Sequence, residues 1–260
     1  MLHPIKRLQR WRLARLLRRE RIAEPLWRRV VTDVPLLARL SPQELHRLRV
    51  LSTLFLHRKV IVGAGELEPD AYIRAVIAAQ ACVLILQLGL EYYSGWREVI
   101  VYPDAFVVHH PQQDEAGVVH QLYQANSGEA WGRGPVILSW EDIRPQRVAS
   151  TLHGVNVVLH EFAHKLDLLN GSANGMPPLH RSMHPQQWSG DFTAAYHRML
   201  GHLQHGHRGR IDPYAVESPA EFFAVVTEFF FEQPAVLQQE LPEVYQRLVE
   251  FYRQQPHRRV

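Results

Sequence analysis

The sequence is nearly without cysteine. Cys82 is the only one in 260 residues, and a single thiol cannot close an internal bridge, so a secreted scaffold stapled by disulfides is excluded. Long apolar runs are missing as well. The longest, roughly Ala75 to Leu90, is short for a bilayer span and contains Gln80 and Gln87, which marks it as a buried helix. Serine is absent from residues 1–40, which speaks against a mitochondrial presequence. Arginines recur through Arg21 where a signal peptide needs an unbroken apolar stretch. No internal repeat or low-complexity tract stands out. The expectation is a soluble, cytoplasmic protein.

An excess of either charge is small over most of the chain. The net charge of +3 hides ten basic residues between Lys6 and Arg29 against two acids, Glu20 and Glu24. That segment carries +8, which leaves −5 for residues 30–260. No direct nucleic-acid partner is expected from so local a basic charge. Residues 1–29 read as a basic N-terminal extension that could contact an anionic surface such as a membrane. Residues 30–260 read as one domain. At 46% hydrophobic and 10% aromatic residues, the chain has ample material for a core.

The hydrophobic pattern places helices first, strands in the middle and helices last, an α+β arrangement. Pro35 to Leu56 reads as helix, with Ser41 and Glu44 spaced as a capping box. Ala75–Leu90 reads as a second helix. Four β-branched runs follow, Glu98–Tyr102, Ala105–His109, Val118–Tyr123 and Pro135–Trp140, separated by Pro, Gly or Asp. Ser150–Leu169 is strongly helical and stops at Asn170-Gly171. Helical stretches near Asp191–Gln204 and Pro219–Tyr252 close the chain, the last broken near Pro234 and Pro242.

What the sequence has in excess is histidine, 16 residues. Two of them stand in His160-Glu161-Phe162-Ala163-His164, an H-E-x-x-H within the Ser150–Leu169 helix. Residues four apart on a helix lie one above the other, so both imidazoles can reach one metal ion. Glu161 lies about 100° round the helix from His160, close enough to touch water on that metal without ligating it. Zinc held by three protein ligands keeps an open position, where the pKa of bound water falls to about 7. Chance alone would produce the motif in roughly one such sequence in fifteen, so context has to decide. Val155, Val158, Leu159, Phe162 and Leu169 supply an apolar face to bury, while His160, His164 and Asp167 fall on another side. Asp167 is spaced to accept a hydrogen bond from a ligating imidazole.

A third ligand has to come from elsewhere. The extended H-E-x-x-H-x-x-G-x-x-H pattern fails, because Asp167 and Asn170 occupy its Gly and His positions. Spacing leaves Glu217, Glu221, Glu228 and Glu232 as candidates. Glu221 has a purely structural reading too, since Ser218-Pro219-Ala220-Glu221 is itself a capping-box pattern.

Other candidates have milder explanations. His202, His205 and His207 do not share one helical face and read as a surface cluster. His109 and His110 sit where a strand should give way to a loop, with adjacent side chains pointing oppositely. Cys82 reads as a small core residue.

The segments HEFAHKLDLLNG (160–171) and IDPYAVESPAEFFAVVTEFFFEQP (211–234) resemble the Mlc titration factor A family of bacterial zinc metallopeptidases. LGLEYYSGWREVIVYPDAFVV (88–108) and GPVILSWEDI (134–143) match in the same order. The likeness runs from about residue 35 to the C-terminus. It implies a zincin-like fold similar to the catalytic domain of anthrax lethal factor, with Zn2+ on His160, His164 and Glu221 and Glu161 as general base. Tyr214 then supports the developing oxyanion; without the resemblance it reads as a packing aromatic. The strand Pro135–Trp140 is expected at the rim of a cleft that takes peptide. The resemblance further implies aminopeptidase-like hydrolysis and binding of an Mlc-like transcriptional repressor that controls sugar-uptake genes. The alternative is a non-catalytic repressor-binding protein with incidental peptidase activity.

Overall fold

The computed structural model describes residues 14–104, 108–113, 119–124, 134–145, 156–207 and 209–259. Residues 1–13 of the basic segment, the strand starts at Ala105 and Val118, the helix start at Ser150, and Val155 lie outside them.

Residues 14–20 are helical, followed by α1 (Glu24–Asp33), α2 (Pro35–Ala38) and α3 (Pro42–Arg58). The single helix expected over Pro35–Leu56 is therefore two. The capping box explains why. Ser41 accepts the Glu44 N–H at 3.3 Å, and its own N–H donates to the Glu44 carboxylate at 2.9 Å. A cap residue has extended backbone, so whatever helix precedes it must end. Ile22 and Trp27, inside the basic segment, are buried with the rest of the core, and Arg49 of α3 donates to the Ile22 carbonyl at 3.0 Å.

A short strand that the sequence reading missed, β1 (Val60–Gly63), leads to α4 (Ala71–Leu84). Asp70 caps α4 by accepting the Ile73 N–H at 2.8 Å, so the helix begins before Ala75 and ends short of Leu90. Every residue from Ala75 to Leu84 is buried, so this stretch is apolar all round apart from Gln80, with Val76, Ile77, Val83 and Leu84 fully buried. Cys82 is buried there as a core residue.

The strands are β2 (Glu98–Tyr102), β3 (Val108–Gln113), β4 (Val119–Gln124) and β5 (Val136–Ser139). One sheet has the order β1-β2-β5 and is parallel throughout, with Val60 opposite Glu98 and Val99 opposite Val136. Parallel neighbours require long crossovers, here containing α4 and the antiparallel pair β3–β4. The expected loop after His109 is instead strand. His109 and His110 pair with Tyr123 and Leu122, and Pro111 with Gln121. In a two-stranded ribbon both strands are edges, where a proline without an N–H is tolerated.

The remaining helices are α5 (Trp140–Ile143), α6 (Val157–Asp167), α7 (Pro185–Gln204), α8 (Pro219–Glu232), α9 (Pro234–Glu240) and α10 (Pro242–Tyr252). Pro234 and Pro242 break the last stretch where expected, each opening the next helix at its first position. The fold is α+β, mostly helical with a small parallel sheet. Among the described residues no helix is long and apolar enough to cross a membrane.

Helix α6 lies between α4, α8 and β5. Val158, Leu159 and Phe162 are fully buried. The Phe162 ring sits among Phe55, Tyr93 and Trp96, with centroids 5.7, 5.1 and 5.7 Å away. That aromatic floor holds the polar side of α6 in place.

Candidate metal centre

Helix α6 starts where Asn156 caps it, the amide oxygen accepting the Leu159 N–H at 3.1 Å. His160 and His164 follow one turn apart on its polar side. Their rings meet edge to face at 4.8 Å between centroids, and their Nε2 atoms stand 3.1 Å apart.

Glu221 arrives from α8. Ser218 caps that helix and accepts the Glu221 N–H at 3.2 Å, but the reciprocal half of a capping box is not made. The Glu221 carboxylate turns to the histidines instead. Its Oε2 lies 3.0 Å from His160 Nε2 and 3.4 Å from His164 Nε2. The structural reading of this glutamate thus explains its backbone and leaves its side chain to the site.

Three donor atoms therefore form a triangle with edges of 3.0 to 3.4 Å. A tetrahedral zinc site with bonds of about 2.0 Å has ligand–ligand edges of about 3.3 Å. Glu221 Oε2 is buried and makes no hydrogen bond of normal geometry, although both imidazole nitrogens are close. Lone pairs converging on a common point leave an atom in that condition. Burial disfavours the Glu221 anion, but the two imidazoles overcome it and hold the carboxyl down to about 2. The donor set suits a divalent metal. It is the one such group of His, Cys, Asp and Glu among the described residues.

Glu161 is buried, with Oε2 unpartnered. Burial raises its pKa above the ordinary range, and the two imidazoles partly offset that. Tyr214 lies in a 3-10 turn, Pro213–Val216, whose start is capped by Asp212 accepting the Tyr214 N–H at 2.9 Å. Its ring is 6.1 Å from that of His160 and 47% exposed, so it is not packed in the core. Burial of its phenol, then Glu221 and Glu161, push its pKa up to about 12.

The residue expected to hold an imidazole from behind is not Asp167. Asp167 is buried and accepts the Gly175 N–H at 2.8 Å, tying down the loop after α6. Glu228 holds His160 instead, with Oε1 2.7 Å from Nδ1. Its signal in the sequence was the seven-residue spacing from Glu221, which places both on one face of α8. His202, His205 and His207 stay apart from the site. The His205 Nδ1 lies 2.7 Å from the Gly201 carbonyl, and the His202 and His207 rings are 6.4 Å apart.

The profile of the glucose-regulated metallo-peptidase M90 family matches residues 8–253. The chain belongs to this family. It is 40% identical over 232 residues to Mlc titration factor A of Salmonella arizonae, covering 87% of this chain and 90% of that protein. Mlc titration factor A of Klebsiella pneumoniae is 38% identical over 240 residues, with 92% and 89% covered. An uncharacterized Synechocystis protein, slr2042, is 38% identical over 248 residues, 95% of this chain and 89% of its own length. Membership in a metallopeptidase family agrees with a donor triangle of metal-site dimensions.

Proposed function

We propose that the chain is a zinc-dependent peptidase of aminopeptidase type, built on a zincin-like fold. His160, His164 and Glu221 hold the zinc, Glu161 is the general base and Tyr214 the oxyanion donor. The observation that carries this reading is the convergence of two Nε2 atoms and one carboxylate oxygen within 3.4 Å of one another, beside a buried carboxyl. Zinc, when bound, supplies Lewis acidity to the attacking water and the scissile carbonyl.

The chain's own residues supply the proton movements. Glu161 takes a proton from the attacking water, and its raised pKa makes it a stronger base than a solvated carboxylate. It then passes that proton to the leaving amine. Tyr214 keeps its phenol proton at neutral pH because its pKa stands near 12, so it donates to the developing oxyanion. The Phe162 floor, packed on Phe55, Tyr93 and Trp96, excludes water from the far side of α6.

The relatives' printed name, Mlc titration factor A, supports a second activity, binding of an Mlc-like transcriptional repressor. The test separates the two. Glu161→Gln leaves the three ligands intact and is expected to bind one zinc per chain while losing at least about a hundredfold in peptide turnover. Repressor capture by that variant should match the wild type. Near-normal turnover would remove Glu161 from the mechanism, and wild-type protein that takes up no zinc would refute the site.

A further inference from the structure

The geometry points to Glu228 as a positioning residue that locks His160 in one tautomer, with its proton on Nδ1 and the Nε2 lone pair facing the donor triangle. This inference rests on the reading of His160 as a metal ligand.

Glu228 is buried, and each of its oxygens meets one partner. Oε2 accepts the backbone N–H of Asn156 at 2.5 Å, and Oε1 lies 2.7 Å from His160 Nδ1. A backbone N–H only donates and a carboxylate only accepts, so the ring nitrogen facing Oε1 is the one that carries hydrogen. Nε2 of the neutral ring is then left as the acceptor, and it is the nitrogen that points at Glu221 Oε2 and His164 Nε2.

The clamp is anchored outside the site. Asn156 caps α6 with its amide oxygen, while its Nδ2 donates to Gln80 Oε1 at 2.8 Å and Glu232 Oε1 at 2.7 Å. Gln80 belongs to the buried helix α4 and is itself 1% exposed. One residue therefore sets both the start of the α6 helix and the position of the carboxylate that orients its first histidine. Outer partners of this kind keep a ligand's tautomer and ring orientation.

Glu228→Gln tests the lock without changing shape. A glutamine has one acceptor oxygen where two donors need one each. Either the Asn156 N–H faces an amide NH2, or that NH2 meets His160 Nδ1 and drives the proton to Nε2, where it blocks the lone pair. The zinc dissociation constant, measured by chelator competition, is expected to rise about 10- to 100-fold, with the far-ultraviolet spectrum unchanged. Glu232→Gln is the control, because its amide oxygen can still accept from Asn156; its zinc affinity should stay within about threefold of wild type. Ring 15N spectra of zinc-loaded wild type should show hydrogen on His160 Nδ1. Wild-type zinc affinity in Glu228→Gln, or a bare Nδ1, would overturn the lock. If wild type binds no zinc, the reading of the site fails. The lock is then judged in the metal-free protein by the same ring spectra, and a bare Nδ1 facing Glu228 would overturn it.

Discussion

Asn156→Asp exchanges one amide nitrogen for one oxygen, and a large, pH-dependent loss of stability is expected from it. The helix cap survives, since Asn and Asp cap equally well. What is lost is Nδ2, which donates to Gln80 Oε1 at 2.8 Å and to Glu232 Oε1 at 2.7 Å. An ionised aspartate would set a buried anion against the Glu232 carboxylate, while the Gln80 amide can turn its NH2 towards the new oxygen. The protonated form donates to Glu232, and remaking the Gln80 contact costs at most about 1 kcal/mol. Holding the proton costs about 1.4 kcal/mol for each pH unit above the unfolded pKa of about 3.9. That is about 1.5 kcal/mol at pH 5 and about 4 kcal/mol at pH 7. The sign follows from the folded pKa lying above the unfolded one. Native variant retains a proton that unfolded variant releases, so its deficit grows as pH rises through this window. Urea unfolding of both proteins at pH 5, 6 and 7 measures it, with the gap widening by about 2.7 kcal/mol across the range. A gap that stays constant within about 0.5 kcal/mol would refute the reasoning, because it would mean that the new carboxyl ionises freely and the network behind His160 is open to water.

Three further outcomes follow from other parts of the structure. Tyr214→Phe should keep its zinc and lose about a hundredfold in kcat with KM little changed; wild-type kcat would take the phenol out of the reaction. Phe162→Ala removes a fully buried ring from contact with Phe55, Tyr93 and Trp96 and should cost about 3–5 kcal/mol in chemical denaturation. Gly175 has φ +77, and a Cβ there would meet the Pro219 carbonyl oxygen at 2.4 Å. Gly175→Ala should therefore lower Tm by an amount equivalent to about 1–3 kcal/mol and weaken zinc binding as well, because Pro219 opens the helix that carries Glu221.

The parts of the fold legible in the sequence are those with local causes. The Ser41–Glu44 box, the proline breaks at Pro234 and Pro242 and the apolar α4 each announce themselves within a few residues. β1 did not, because Val60–Gly63 is four residues long and owes its strand character to pairing with β2, a partner 38 positions away in register. The division of Pro35–Leu56 into two helices was written in the same capping box that was read correctly. A cap that starts one helix terminates its predecessor. At the site, the helical spacing of His160 and His164 anticipated that their rings would meet, with the Nε2 atoms 3.1 Å apart. Asp167 was misassigned because i, i+3 spacing brings it near His164 on the helix surface, while the loop at Gly175 offers it an N–H that spacing cannot reveal.

The acids of α8 show where periodicity reaches its limit. Glu221, Glu228 and Glu232 all lie on the side of α8 that faces α6, and a seven-residue interval makes the first two equivalent by pattern. They differ in which nitrogen of His160 each meets. Glu221 sits in the first turn, with Oε2 3.0 Å from Nε2; Glu228 sits two turns deeper, with Oε1 2.7 Å from Nδ1. The imidazole thus lies between two carboxylates. Depth separates their roles: the Glu221 side chain is 21% exposed and lies beside His164, whereas that of Glu228 is 5% exposed and holds the Asn156 N–H. A carboxylate that can reach only Nδ1 cannot share a metal with Nε2 of the same ring. That exclusion, which depends on how far along α8 the ring is met, separates the candidate ligand from the residue that orients it.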